Sequence, residues 1–399
     1  MKMTIKSLFL VFTLVMLVAC NGDDNITPIP TTLISKTYEI GSIYDNNVNG
    51  TAKIIKNDDN SITVELYLTG IPTGDSHPAS INYNTAAEGG TTAITLGTVD
   101  GDIGFSTITF STLDDGTAIS YEELLSFDGY VNVQLSATQP NQSLARGDIG
   151  ENALTGVTKT YVLNEKDLPE TSGTIIFSER KNGEARAVIQ LTNAVSGEIH
   201  PAHIHNNTAV ESGAIAFTFN SIDGDLGISE TNVATLDDGT AFLFIDIIDF
   251  DGYVNVHESQ TNIGTIIAQG DIGQNELTGV AESYVLNEVD VPEINGTVTF
   301  YARNNGEALA VILLENTVEN EMHPAYIYSN DIETPGSIMF TFNPVNGNTG
   351  ISKTNVATLD DGVGFVYEDV LGVNGHINVH LSNAQLATII AQGNIGVNN

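Results

Sequence analysis

Three motifs recur along this chain at one constant offset of 123 residues. His77-Pro78-Ala79 returns as His200-Pro201-Ala202 and His323-Pro324-Ala325. Gly129-Tyr130-Val131-Asn132-Val133 returns as Gly252-Tyr253-Val254-Asn255-Val256 and Gly375-His376-Ile377-Asn378-Val379. Gly147-Asp148-Ile149-Gly150 returns as Gly270-Asp271-Ile272-Gly273 and Gly393-Asn394-Ile395-Gly396. Solenoid and propeller repeats run to about 20–50 residues, whereas a period of 123 is the size of a domain with its own core. Counting back from Asn399 gives units 31–153, 154–276 and 277–399, with no net insertion between the anchors. Function then belongs either to a tandem array or to one specialised copy.

Residues 1–19 read as a signal peptide rather than as part of the fold. Lys2 and Lys6 make a basic start, and the apolar run Leu8–Ala19 is too short to span a bilayer as a helix. The run closes Leu17-Val18-Ala19-Cys20, which resembles the bacterial lipobox, and Cys20 is the only cysteine. That resemblance implies a lipidated Cys20 and an outer-membrane lipoprotein. Asn21-Gly22-Asp23-Asp24 resembles the surface-export signal of Bacteroidetes lipoproteins, which implies surface display. Residues 20–34, with the Pro/Thr stretch Thr27–Thr32, read as an extended tether. With its cysteine given to lipid the chain forms no disulfide, so each unit must stand on an apolar core. A unit of this size can supply one.

Thirteen Lys and Arg against 50 Asp and Glu leave a net charge of −37. Without a basic footprint, nucleic acid is excluded as a partner. Docking on anionic lipid is disfavoured as well, so contact with the membrane comes through Cys20. The acidity serves solubility and self-repulsion, or it captures divalent cations or polycations.

Strand signals dominate the rest. Ile62–Leu68 alternates apolar and polar, and Ala185–Leu191 and Ala308–Leu314 keep the same apolar face. In Tyr130–Leu135 the residues Val131, Val133 and Leu135 face one way, and Tyr130, Asn132 and Gln134 the other. Asp100-Gly101, Asp223-Gly224 and Asn346-Gly347 carry hairpin-turn pairs. No long amphipathic helix is legible. The expected fold class is all-β: three tandem Greek-key-like β-sandwich or barrel domains.

The densest chemistry lies in the middle unit, in His200-Pro201-Ala202-His203-Ile204-His205. On a strand, His203 and His205 share one face while Ala202 and Ile204 take the other. His257 lies on the polar face of its own strand. If the strands are close, three imidazoles can converge as a zinc or copper site with water in the fourth position. The other units lack the set: Ser80, Asn82 and Gln134 stand in the first, and Tyr326, Tyr328 and His380 in the third, where His376 and His380 share a face. Either the second unit holds a specialised metal site, or these are polar surface positions.

His77, His200 and His323 recur in every copy and read as structural, each satisfied by a nearby carbonyl. Asp100-Gly101-Asp102 and its equivalents invite a calcium reading, but Asn346 and Asn348 replace both acids in the third copy, so turn chemistry explains all three. Arg146-Gly147-Asp148 spells an integrin-type tripeptide; its glycine belongs to the repeat and its arginine reads as incidental. There is no cysteine nucleophile, no Gly-x-Ser-x-Gly elbow and no phosphate loop, so no catalytic residues are assigned and the chain reads as a non-enzyme. Metal-dependent redox chemistry at the histidines stays open.

The middle unit resembles the CHRD (chordin-type) domain. The features are His203-Ile204-His205, then Gly213-Ala214-Ile215-Ala216-Phe217, then Gly252–His257, and finally Gly264–Gly270. The match is good over 154–276, fair over 277–399 and weak over 31–153, where the first repeat is degenerate. The family is regarded as an all-β module without assigned catalysis, tied in chordin to secreted partners. The resemblance therefore implies a surface array that binds an extracellular protein or glycan. His-x-His on a strand is also distantly similar to the copper site of copper/zinc superoxide dismutases; their further ligands and disulfide are absent, and the activity does not carry over. A metal-binding protein centred on His203, His205 and His257, and a structural envelope component, are the alternatives.

Overall fold

The alternation of Ile62–Leu68 becomes a barrel wall. Ile62, Val64, Leu66 and Leu68 are buried, and the residues between them face outward. The structure, a computed structural model, describes residues 33–45 and 47–399. The signal peptide, Cys20 and nearly all of the tether lie outside the described residues.

Eight strands build the first unit: β1 Ser35–Gly41, β2 Asn49–Lys56, β3 Ile62–Thr69, β4 Ser76–Tyr83, β5 Thr92–Asp100, β6 Phe105–Phe110, β7 Asp128–Ser136 and β8 Gln139–Gly150. They close into a barrel in the order β1-β2-β3-β6-β5-β4-β7-β8. The jump from β3 to β4 across the barrel gives the Greek-key connection expected from the sequence.

The second unit contains β9 Leu154–Glu165, β10 Ser172–Arg180, β11 Ala185–Thr192, β12 Ile199–His200, β13 Ala202–Asn206, β14 Ile215–Thr218, β15 Ile222–Asp223, β16 Ile228–Val233, β17 Asp251–His257 and β18 Ile266–Gly273. Its sheet runs β12-β15-β16-β11-β10-β9-β18-β17-β13-β14. This is the first unit's order with one hairpin cut in two. Only Pro201, which has no N–H to give to a ladder, separates β12 from β13. Opposite it, Asn220 turns away from the hairpin: its N–H goes to Thr231 Oγ1 at 3.0 Å and its side-chain amide to the Glu230 carbonyl at 2.7 Å. Asn343 makes the same pair of bonds in the third unit. The first unit has Gly97 there, and its strand runs on unbroken. The third unit repeats the ten-strand order from β19 (Leu277–Glu288) through β28 (Ile389–Gly396).

Each unit has its own apolar core. In the second, Phe177, Ile189, Ile204, Val254 and Ile267 meet inside the curled sheet, and burial of each such side chain contributes about 1.5–3 kcal/mol. The Gly-Asp/Asn-Ile-Gly motif lies where the last strand of each unit pairs with the first, closing the barrel in the first unit and joining the two halves of a curled ten-stranded sheet in the others. A Cβ on Gly270 would stand 2.1 Å from the Val162 carbonyl oxygen, and Gly273 takes φ +60°. Gly147 and Gly393 approach their partner strands just as closely. Gly270→Ala must push β18 off β9, and a loss of about 2 kcal/mol or more is expected in urea unfolding.

The units are clasped by arginines. Arg180 in the second unit and Arg303 in the third have side chains with no exposure. Arg180 donates to Asp148 Oδ2 of the first unit at 2.5 Å, to the Asn152 carbonyl at 2.8 Å and, through Nε, to Asn232 Oδ1 at 2.9 Å. Arg303 repeats this with Asp271, the Asn275 carbonyl and Asn355. Asp148 Oδ1 also accepts from Ala86 N–H, as Asp271 does from Ala209. Arg146 adds a bridge of 2.7 Å to Glu230 across the first junction. The expectation that Arg146 is incidental is therefore corrected: it joins two units, and Asp148 beside it is nearly buried in the clasp. The tripeptide is consumed by inter-unit contacts.

Candidate metal centre

Strand pairing brings the three candidate histidines together. β13 pairs with β17 in the register His203↔Asn255 and His205↔Tyr253. His257 ends β17, where its N–H bonds to the Pro201 carbonyl. One nitrogen from each of His203, His205 and His257 lies within 4.8 Å of the others. Among the described residues this is the one such group of three His, Cys, Asp or Glu side chains.

These side chains point away from the barrel core yet are not surface groups. His203 is 7% exposed and His257 6%. The reading of polar surface positions is corrected for this face. Part of the cause is the loop after β13, which folds back to His205. Ala209 N–H bonds to Asp271, Gly213 N–H to Tyr253 Oη, and the Gly213 carbonyl takes the Nδ1–H of His205 at 3.0 Å.

That last bond fixes the tautomer of His205 and leaves Nε2 as its lone-pair donor. Nε2 of His205, Nδ1 of His203 and both nitrogens of His257 are buried and make no hydrogen bond of good geometry, although the Ile263 backbone lies close enough to His257 to favour its protonated form. Burial, helped by the neighbouring His257 and His205 rings, pushes His203 down to about 4. Burial also lowers His257, against an opposing pull from the Ile263 backbone. At neutral pH His203 and His257 therefore present neutral imidazole, the form that binds a metal. The His205 ring is held flat against Tyr253, centroids 5.0 Å apart and 16° between planes.

The same face in the other units carries hydrogen bonds of its own, although in the third His380 Nδ1 stays unpartnered. In the first, Ser80 Oγ donates to Asn82 Oδ1 at 2.8 Å, and Asn82 Nδ2 donates to Tyr130 Oη at 3.1 Å. In the third, the rings of Tyr326, Tyr328 and His380 occupy nearly the same triangle. Their centroid separations are 5.6, 6.2 and 6.3 Å, against 5.2, 5.9 and 6.4 Å for the histidines. There the Tyr328 hydroxyl reaches His380 Nε2 at 3.2 Å and fills the space between the rings. His376 does not join His380 in a ligand set: its Nδ1 donates to the Asn330 carbonyl, and its ring stacks on Tyr328.

His77, His200 and His323 are fully buried on β4 and its equivalents. Each directs Nδ1 to a carbonyl: Leu135 at 2.7 Å, Glu258 at 2.6 Å and Leu381 at 2.7 Å. In the Asp-Gly-Asp turns one side-chain oxygen caps the turn, with Asp102 N–H to Asp100, Asp225 to Asp223 and Asn348 to Asn346. The next side chain accepts from Gly74, Gly197 or Asn320 N–H. Carboxylate and amide oxygens do the same work in these turns.

No family model, curated protein or solved structure matches the chain.

Proposed function

We propose that the protein binds one transition-metal ion, zinc or copper, in its second unit, through His203, His205 and His257. The observation that carries this is the set of buried, unpartnered imidazole nitrogens on three converging rings, at positions where the other units make internal hydrogen bonds. A buried polar atom left unpaired costs about 1–3 kcal/mol, and a metal ion satisfies all three rings at once. Three imidazoles suit Zn(II) or copper rather than Ca(II) or Mg(II). With nitrogens about 2.0–2.1 Å from zinc, tetrahedral ligands stand roughly 3.3–3.5 Å apart, so the rings draw in slightly on binding. Three protein ligands leave a fourth position for water or an exogenous ligand, and His205, the least buried ring, marks the side from which it arrives.

The lipid anchor on Cys20, surface display and the CHRD-type binding array are compatible with this reading, which rests on the histidines alone. Elemental analysis of protein purified without added metal is expected to find about one zinc or copper per chain. Metal-free protein that also takes up neither ion on dialysis would sink the reading.

A further inference from the structure

Behind the three histidines stands a residue that touches no metal but holds one of them in place. Tyr253 faces His205 across the β13–β17 ladder, and its ring lies flat on the imidazole. It is buried, and its hydroxyl accepts the Gly213 N–H at 3.2 Å. The Gly213 carbonyl in turn takes the Nδ1–H of His205 at 3.0 Å. Gly213 is thus gripped at both ends, and a Cβ there would stand 1.9 Å from the Asn206 carbonyl oxygen. The loop is strained to reach this position. Ser212 takes φ +63°, a region that a residue with a side chain rarely enters.

The other units do not repeat the grip. In the first, Gly89 stands at the Ser212 position, and the Tyr130 hydroxyl takes Asn82 Nδ2 from the facing strand. In the third, the stacked pair is exchanged: Tyr328 holds the place of His205 and His376 that of Tyr253, with centroids 5.3 Å apart and 14° between planes. Pro335 replaces Ser212 there, and its ring forbids a positive φ. Gly336, the equivalent of Gly213, gives its N–H to the Ser329 carbonyl at 2.8 Å instead.

We infer that Tyr253 is the positioning residue of the metal site. Its hydroxyl fixes Gly213, the Gly213 carbonyl keeps the His205 proton on Nδ1, and the stacked ring holds the imidazole so that Nε2 is left for the ion. Such a backbone carbonyl behind a ligating histidine sets its tautomer and orientation. This role presupposes the metal reading above.

The test is a zinc titration of the full chain against a chromophoric chelator. Tyr253→Phe keeps the ring and removes the acceptor; zinc should bind about ten-fold more weakly, still with one site per chain. Tyr253→Leu removes the ring as well, and a loss of about 100-fold is expected. The Cu(II) form of Tyr253→Phe should show altered hyperfine splitting in its electron paramagnetic resonance spectrum as His205 loses its fixed orientation. A merely structural tyrosine would lower the melting temperature of the metal-free protein and leave the zinc affinity of the folded protein unchanged. Wild-type zinc affinity in both variants would overturn the role of Tyr253 and leave the three histidines as ligands. Wild-type protein that binds neither ion would remove the metal reading, and the positioning role with it.

Discussion

Arg303→Ala is expected to destabilise the third unit by about 3–5 kcal/mol and to split it from the second in a calorimetric scan. The magnitude follows from what is left behind. The Arg303 side chain is fully buried between units, and Asp271 and the Asn275 carbonyl face it there. Truncation removes the cation and leaves the Asp271 carboxylate largely out of water with only the Ala209 N–H; breaking a buried pair in this way typically costs that much. The pair itself need not stabilise by the same amount, because both charges were desolvated to form it. Arg303→Met with Asp271→Asn should therefore recover much of the loss. Asparagine is already the third-unit residue at this position, where Asn394 Oδ1 accepts from Ile332 N–H as Asp271 does from Ala209. A single unshifted transition in Arg303→Ala would show that the clasp carries no stability.

The scaffold was legible because its signals are local and repeat. Strand alternation in Ile62–Leu68, the hairpin pairs and the Gly-Asp-Ile-Gly motif each act within a few residues of themselves, and each appears three times. The His-x-His face was legible for the same reason: period-2 geometry places His203 and His205 together without knowledge of the fold. Two things were not. The first is the cover over that face. Polar residues opposite an apolar stripe ordinarily face water, and here loops distant in sequence lie beside them: Gly213, held by Tyr253, at His205, and Ile263 at His257. The second is the clasp, in which the partners lie 32 residues apart, in different units. A signal for it did exist. Asn57, Arg180 and Arg303 share one repeat position, and Asp148, Asp271 and Asn394 share another. Each arginine has its aspartate in the preceding unit, Arg180 with Asp148 and Arg303 with Asp271. Comparing the copies for what differs, as well as for what recurs, would have exposed it.

The variant carrying His203→Ser, His205→Asn and His257→Gln is expected to lose metal binding altogether while folding at least as well as the metal-free wild type. These substitutions install Ser80, Asn82 and Gln134 of the first unit at their equivalent positions. The hydrogen-bond chain that closes the first unit's face ends on Tyr130, and Tyr253 occupies that place in the second. The variant therefore replaces the imidazoles of His203 and His205 with a serine and an asparagine that bond to each other in the first unit, with Tyr253 next in line. Wild-type protein at a metal concentration 100 times its dissociation constant gains about 2.7 kcal/mol, a rise in melting temperature of roughly 5–15 °C for a domain of this size. The variant should show no rise. The third unit keeps His380, but with the Tyr328 hydroxyl already on its Nε2, so it offers no replacement site. If zinc or copper shifted the melting of the variant as it does the wild type, the three histidines would not be the ligands. If metal-free wild type were the more stable of the two, the unpaired nitrogens would already be satisfied by water, and the need for a metal would fall away.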